Sequence, residues 1–290
     1  MSSAVSRVFS TPELLELILL QLPLPSLLHS QRISTHFNSL IKSSPALQHA
    51  LFLRSSPSPS PSSTKEKENE KQWHVNPLLR QHFLPFFAAP EGRFSSRDYS
   101  VLHLLDWATY PSTRSAFLRK EATWRRMRLV PRSAPSLRVR RWMHGQDGSS
   151  EDVSYMSFPD GVTMGAVYDL VQSFLLHNLV ASFAVAFENG KGREDGVGIS
   201  LYLDMTFQCC VDEDSGDESV VLRSEGEEVG VRELEWKMGR DEDVGHLWYD
   251  WGTDLTTEQG GVGEKEWEEW KKARATVSWG DDLDAGAPAR

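Results

Sequence analysis

From Glu13 to Leu22 the chain reads ELLELILLQL, with Glu13, Glu16 and Gln21 the only polar positions. The pattern predicts a helix with more apolar surface than one stripe needs. Leu14, Ile18 and Leu22 fall on one side, Leu15 and Leu19 extend that surface, and Leu17 and Leu20 occupy another arc. Thr11 followed by Pro12 marks the start, with Ser10 and Glu13 as an alternative capping box. Pro23 and Pro25 end it. Ser26 opens a second helix through LLHSQRI, Ser34 caps a third over THFNSLIKS, and Ser44 before Pro45 starts a fourth, ALQHALFL. Helices this few and short cannot enclose all the leucine they carry. The remainder predicts an exposed apolar patch, the mark of a partner site. The competing expectation is that the rest of the chain covers it.

The pattern then breaks. RSSPSPSPSSTKEKENEK, residues 54–71, offers no apolar face, so 54–72 is expected to be a disordered Ser-Pro/Lys-Glu linker. It separates a helical head, residues 1–53 with its core over 9–43, from a body at 73–290, and it disfavours coverage of the patch by that body. Ser56, Ser58 and Ser60 each precede a proline, which would suit a proline-directed kinase, though an unmodified spacer is the favoured expectation.

The body starts helical. Asn76 caps PLLRQHF, and DYSVLHLLDW and TRSAFLRKEATWRRMRL keep a helical period. In VTMGAVYDLVQSFLLHN the residues Met164, Val167, Leu170, Val171 and Phe174 share one face. LVASFAVAF and GISLYLDMTFQCCV read as strands joined by a hairpin loop, ENGKGREDGVG. VRELEWKM and VGHLWYDW are further strand candidates, and GEKEWEEWKKARA a last helix. The expected body is α+β with an antiparallel sheet. No internal repeat of the leucine-rich or WD type is visible.

Composition is that of a globular protein, 39% hydrophobic and 25% charged, but charge is segregated. Residues 73–144 hold 13 basic and 4 acidic side chains, and residues 145–290 hold 11 and 32. Such a split suits either a nucleic-acid patch or two halves that attract each other. The first reading rests on LRKEATWRRMR and LRVRRW, where Trp124 and Trp142 stand among arginines. Arg119, Lys120, Arg125, Arg126 and Arg128 are its candidate contacts, for nucleic acid or for an acidic or phosphorylated substrate. The net charge of -10 favours mutual neutralisation instead.

Catalytic motifs are missing. There is no G-x-S-x-G, H-E-x-x-H or C-x-x-C, and GKGREDGVG lacks the Lys-Ser/Thr of a phosphate loop. WYDWGTD, with Asp250 and Asp254, reads as core and turn packing. No enzyme, cofactor or metal is expected. Cys209 and Cys210 are adjacent, which disfavours a disulfide between them and suits a reducing compartment. MSSAVSRVFS lacks an export signal, and the run to Leu28 is too short and interrupted to span a bilayer. A cytosolic or nuclear protein with no membrane partner is expected.

TPELLELILLQLPLPSLLHSQRISTHFNSLI resembles the F-box. The matching positions are Pro12, Glu13, Leu14, Leu15, Ile18, Leu19, Leu22, Pro23, Leu27, Leu28, Ile33, Ser34, Phe37, Leu40 and Ile41. Ser10-Thr11 stands where the motif usually has Leu-Pro, and Phe37 where it has Trp. NPLLRQHFLPFF, EATWRRM and GVTMGAVYDLVQSF look more loosely like stretches of short F-box proteins of filamentous fungi. The resemblance implies a three-helix domain that docks on a Skp-type adaptor, which hangs from a cullin scaffold. The adaptor would be met by Pro12, Leu14, Leu15, Ile18, Leu19, Leu22, Pro23, Leu27, Leu28, Ile33 and Phe37, with Leu14, Leu15, Ile18 and Leu22 as anchors. The implied role is a non-catalytic substrate receptor in a ubiquitin ligase that marks proteins for degradation, its substrate unknown. The alternatives are an adaptor-bound protein outside a ligase and an arginine-rich nucleic-acid-binding protein.

Overall fold

The computed structural model describes residues 4–55, 75–88, 99–131, 134–145, 148–178, 180–188, 198–206, 237–238, 262 and 264–274. The Ser-Pro run, the Cys209-Cys210 pair and WYDWGTD lie outside these residues, as does VDEDSGDES at 211–219, an acidic stretch expected from its charge to be a solvated loop.

Among the described residues the head holds five helices: α1 (Ala4–Ser10), α2 (Pro12–Leu20), α3 (Leu24–Ser30), α4 (Thr35–Ser43) and α5 (Pro45–Ala50), of which α2 to α5 stand where the pattern predicts four and α1 precedes them. Local chemistry sets the breaks. Pro12 starts α2 at a position where its missing N–H is not needed. The Thr11 hydroxyl does not cap that helix; it donates to the Arg7 carbonyl at 2.9 Å. Ser34 accepts from the Phe37 N–H and Ser44 from the Leu47 N–H, each at 3.2 Å, as expected of N-caps. The second predicted helix starts earlier than Ser26. Pro25 lies in the first turn of α3, where proline is tolerated, and so helps to open a helix instead of closing one. Leu15, Leu19, Leu27, Ile41, Leu47 and Leu51 form the core of the head.

In the body, Asn76 accepts from Leu78 N–H (3.0 Å) and Leu79 N–H (3.3 Å) to begin α6 (Pro77–His82). A 3-10 turn (Leu84–Phe86) and α7 (Tyr99–His103) follow. The periodic stretch 113–129 is not one helix. It divides into α8 (Pro111–Phe117) and α9 (Thr123–Arg126), because the Trp124 ring turns inward against Phe83 and Tyr168 and its indole N–H donates to the Phe117 carbonyl at 2.7 Å.

β1 (Ser136–Gly145) and β2 (Gly148–Ser157) form a hairpin that sequence reasoning did not place. Then come α10 (Met164–His177), β3 (Ala181–Glu188), β4 (Gly198–Thr206), β5 (Lys237–Met238) and α11 (Glu264–Arg274). The strand order is β3-β4-β1-β2-β5. β3 and β4 pair antiparallel as expected, but β1 and β4 run parallel, so the sheet is mixed rather than antiparallel. The α10 crossover causes this: it returns the chain in the direction of β2, and the next reversal aligns β4 with β1.

Leu137, Val139, Phe183, Val185, Leu201 and Leu203 join Val167, Val171 and Phe174 of α10 in the body core. The intervening positions carry Arg138, Arg140, Trp142, His144, Ser200, Tyr202 and Asp204 on the opposite sheet face. Trp267 and Trp270 bring α11 into the same core, with their rings stacked at 5.2 Å. Arg80 on α6 pairs with Glu266 on α11.

Head and body touch. Leu24, Leu28 and Leu53 pack against the body core, and Arg128 N–H donates to the Phe52 carbonyl at 2.8 Å. Phe52 adopts φ 59, a left-handed conformation rare for an aromatic residue, which turns its carbonyl toward the body.

Candidate partner-binding surface

The leucines of α2 divide into two adjoining arcs. Leu15 and Leu19, 0% and 1% exposed, point into the core of the head. Leu14, Leu17 and Ile18 stay 45%, 60% and 43% exposed, and Leu22 beyond the helix end adds to them. The helical period produces this split, since positions 14, 17 and 18 share one arc while 15 and 19 lie on its flank. Ile33, ahead of α4, is 68% exposed, and Phe9 on α1 is also open. The charged residues on these two helices are Arg7 and Glu13, both exposed, and Glu16, which is half-buried.

The expected contact residues therefore separate. Pro12, Leu14, Ile18, Leu22, Pro23 and Ile33 are exposed. Leu15, Leu19 and Leu27 are buried in the head's own core, so they shape the surface without being available to a partner. Leu28 is half-buried and contacts the body core as well as the head. Phe37 is half-buried, its ring 6.1 Å from that of Phe9. Sequence reasoning missed Leu17 and Phe9 as surface anchors. The signal for Leu17 was its place on the arc opposite Leu15; Phe9 had none, lying ahead of the motif. The body contacts the Leu24 and Leu28 side of the head, while the arc of Leu14, Leu17 and Ile18 stays open.

The basic stretch does not form one patch. Arg119, Lys120 and Arg126 are exposed. Arg125 pairs with Asp169 and lies 5.2 Å over the Trp124 ring, while Arg128 is buried and donates to the Asp160 carbonyl. Burial outweighs Arg125 at Asp169 and pushes its carboxyl above the usual range. Trp124 and Trp142 are both buried, so neither ring is presented for stacking on bases. On the sheet, Arg140 pairs with Glu151, Arg141 with Asp152 at 2.5 Å, and His144 lies 3.3 Å from Asp204. Arg140 and Arg141 of β1 thus meet acidic partners within the body, while Arg138 donates to the Ser200 hydroxyl at 3.1 Å.

Among the described residues no group of three or more His, Cys, Asp or Glu is placed to hold a metal ion. Nor is any described helix long and apolar enough to cross a membrane.

Comparison of the chain with curated proteins and with solved structures returns no match. Residues 11–49, spanning α2 to α5, match the family model of the F-box domain. F-box domains bind Skp-type adaptors within cullin complexes. The leucine-rich unit at residues 11–49 of this chain is an F-box domain.

Proposed function

We propose that this protein is a non-catalytic substrate receptor of a Skp-cullin-F-box ubiquitin ligase. The observation that carries the reading is the open arc of Leu14, Leu17, Ile18 and Leu22 on a domain whose own core is already filled by Leu15, Leu19 and Leu27. Such an arc suits insertion into an apolar groove on a Skp-type adaptor. The body, residues 73–290, recruits a protein substrate, and the adaptor and cullin hold that substrate near a charged ubiquitin. The gain is one of effective concentration, with no bond made or broken by this chain. The protein works in the cytoplasm, the nucleus or both.

Co-purification of the full chain with a Skp-type adaptor and a cullin tests the reading. Wild type is expected to retain both, and Leu14→Asp with Ile18→Asp neither, because two carboxylates would be forced into an apolar interface. Adaptor retained without cullin would favour a role outside a ligase. A folded wild-type chain that captures no adaptor would refute the reading.

A further inference from the structure

The geometry points to an adaptor surface that extends beyond the matched F-box segment onto α1, through Phe9. This inference rests on the adaptor-binding reading above and adds a contact to it.

The matched segment begins at residue 11, and α1 ends at Ser10. Only Thr11 separates α1 from α2, and α1 is closed at its end by local hydrogen bonds and tied to α4. At its end, Thr11 N–H donates to the Val8 carbonyl at 3.2 Å, and the Ser10 and Thr11 hydroxyls donate to the Arg7 carbonyl at 3.0 and 2.9 Å. Across the head, His36 Nε2 on α4 donates to the Phe9 carbonyl at 3.1 Å. The Phe9 and Phe37 rings meet at 6.1 Å with their planes tilted by 36°.

Phe9 is thus fixed by backbone and ring contacts and yet remains 43% exposed. A phenylalanine gains about 1.5–3 kcal/mol from full burial, and the head's own helices supply only one side of that burial. The exposed side stands on the helix immediately ahead of Leu14, Leu17 and Ile18, and its ring partner Phe37 follows exposed Ile33 on the next connection and helix. A pre-positioned, partly exposed aromatic packed on Phe37 of the matched segment is the kind of anchor that carries binding energy. Continuity with the F-box face selects the occupant: an apolar surface of the same Skp-type adaptor.

The test uses the full chain with purified Skp-type adaptor and a photo-crosslinking benzoylphenylalanine placed at position 9, 17 or 110. Tyr110 is exposed on the body and serves as the distant control. Adducts with the adaptor are expected from positions 9 and 17 and not from 110. An adduct from 17 without one from 9 overturns the extension and leaves the adaptor reading standing. No adduct from either position, in a chain with unchanged melting temperature, overturns both. Chain-to-chain adducts from position 9 overturn the inference in favour of self-association. In binding measurements Phe9→Ala is expected to weaken the adaptor about tenfold and Phe9→Leu to restore most of the loss. Equal affinity of Phe9→Ala and wild type would also overturn it.

Discussion

Leu17 and Leu19 are two residues apart on one helix and have opposite duties. Leu19 is enclosed by the head's core, so Leu19→Ala is expected to cost about 2–5 kcal/mol in denaturant unfolding. Leu17→Ala removes atoms already in water and should stay within about 0.5 kcal/mol of wild type. The sequence grouped Leu15 and Leu19 with Leu14, Ile18 and Leu22 and set Leu17 apart, whereas the structure buries Leu15 and Leu19 and leaves Leu14, Leu17 and Ile18 open together. The helical period did not say which faced inward, because Ile41 on α4, Leu47 on α5 and Leu51 just beyond α5 settle that. Two histidines carry a pH dependence. Burial holds His82 and His103 below their ordinary value of 6.5. Between the depressed value and 6.5 the unfolded chain binds more protons, so stability rises with pH and is lost on acidification through that window. Asp169, shifted upward, works in the opposite sense at lower pH. Melting curves between roughly pH 7.5 and 5.5 should fall for wild type and flatten for a His82→Gln, His103→Gln variant. An unchanged slope would contradict the assignment.

At the scale of elements, caps and long apolar periods were the readable features. Ser34, Ser44 and Asn76 each cap the helix that local sequence assigns to them, and α10 buries the face predicted for it. β1 was hidden by its arginines. Leu137 and Val139 alternate as a strand should, but Arg141 takes the next position of that row, opposite Asp152 on β2. An ion pair between distant residues satisfies this site, and neither half announces the other in the sequence. Asp152 is 2% exposed. Asp152→Ala would remove the buried carboxylate that faces Arg141 and is expected to cost about 3–5 kcal/mol, whereas Arg141→Met with Asp152→Leu should be close to neutral. Urea titration of the two variants separates these outcomes; similar losses in both would contradict the account.

At the scale of the whole molecule, the sequence suggests a head and a body joined only by residues 54–72, with the head's apolar surface spare. Beyond that linker, Leu24, Leu28 and Leu53 meet the body core, and the hydrogen bond from Arg128 N–H to the Phe52 carbonyl adds a polar tie. No local pattern reveals a contact of this kind, because these leucines match the motif equally well whether a body or solvent lies beyond them. A specific protease site introduced at residues 62–63 should therefore, after cutting, leave two pieces that co-elute in gel filtration. Separation would show that the junction does not hold by itself. The spare surface is the arc which that contact leaves exposed, and it carries the central claim. The most direct measurement is titration of the full chain with a purified Skp-type adaptor, comparing wild type, Leu17→Asp and Tyr155→Asp, the last on an exposed position of β2. The account predicts about a hundredfold or greater loss for Leu17→Asp and wild-type affinity for Tyr155→Asp. Undiminished binding by a folded Leu17→Asp variant would contradict it.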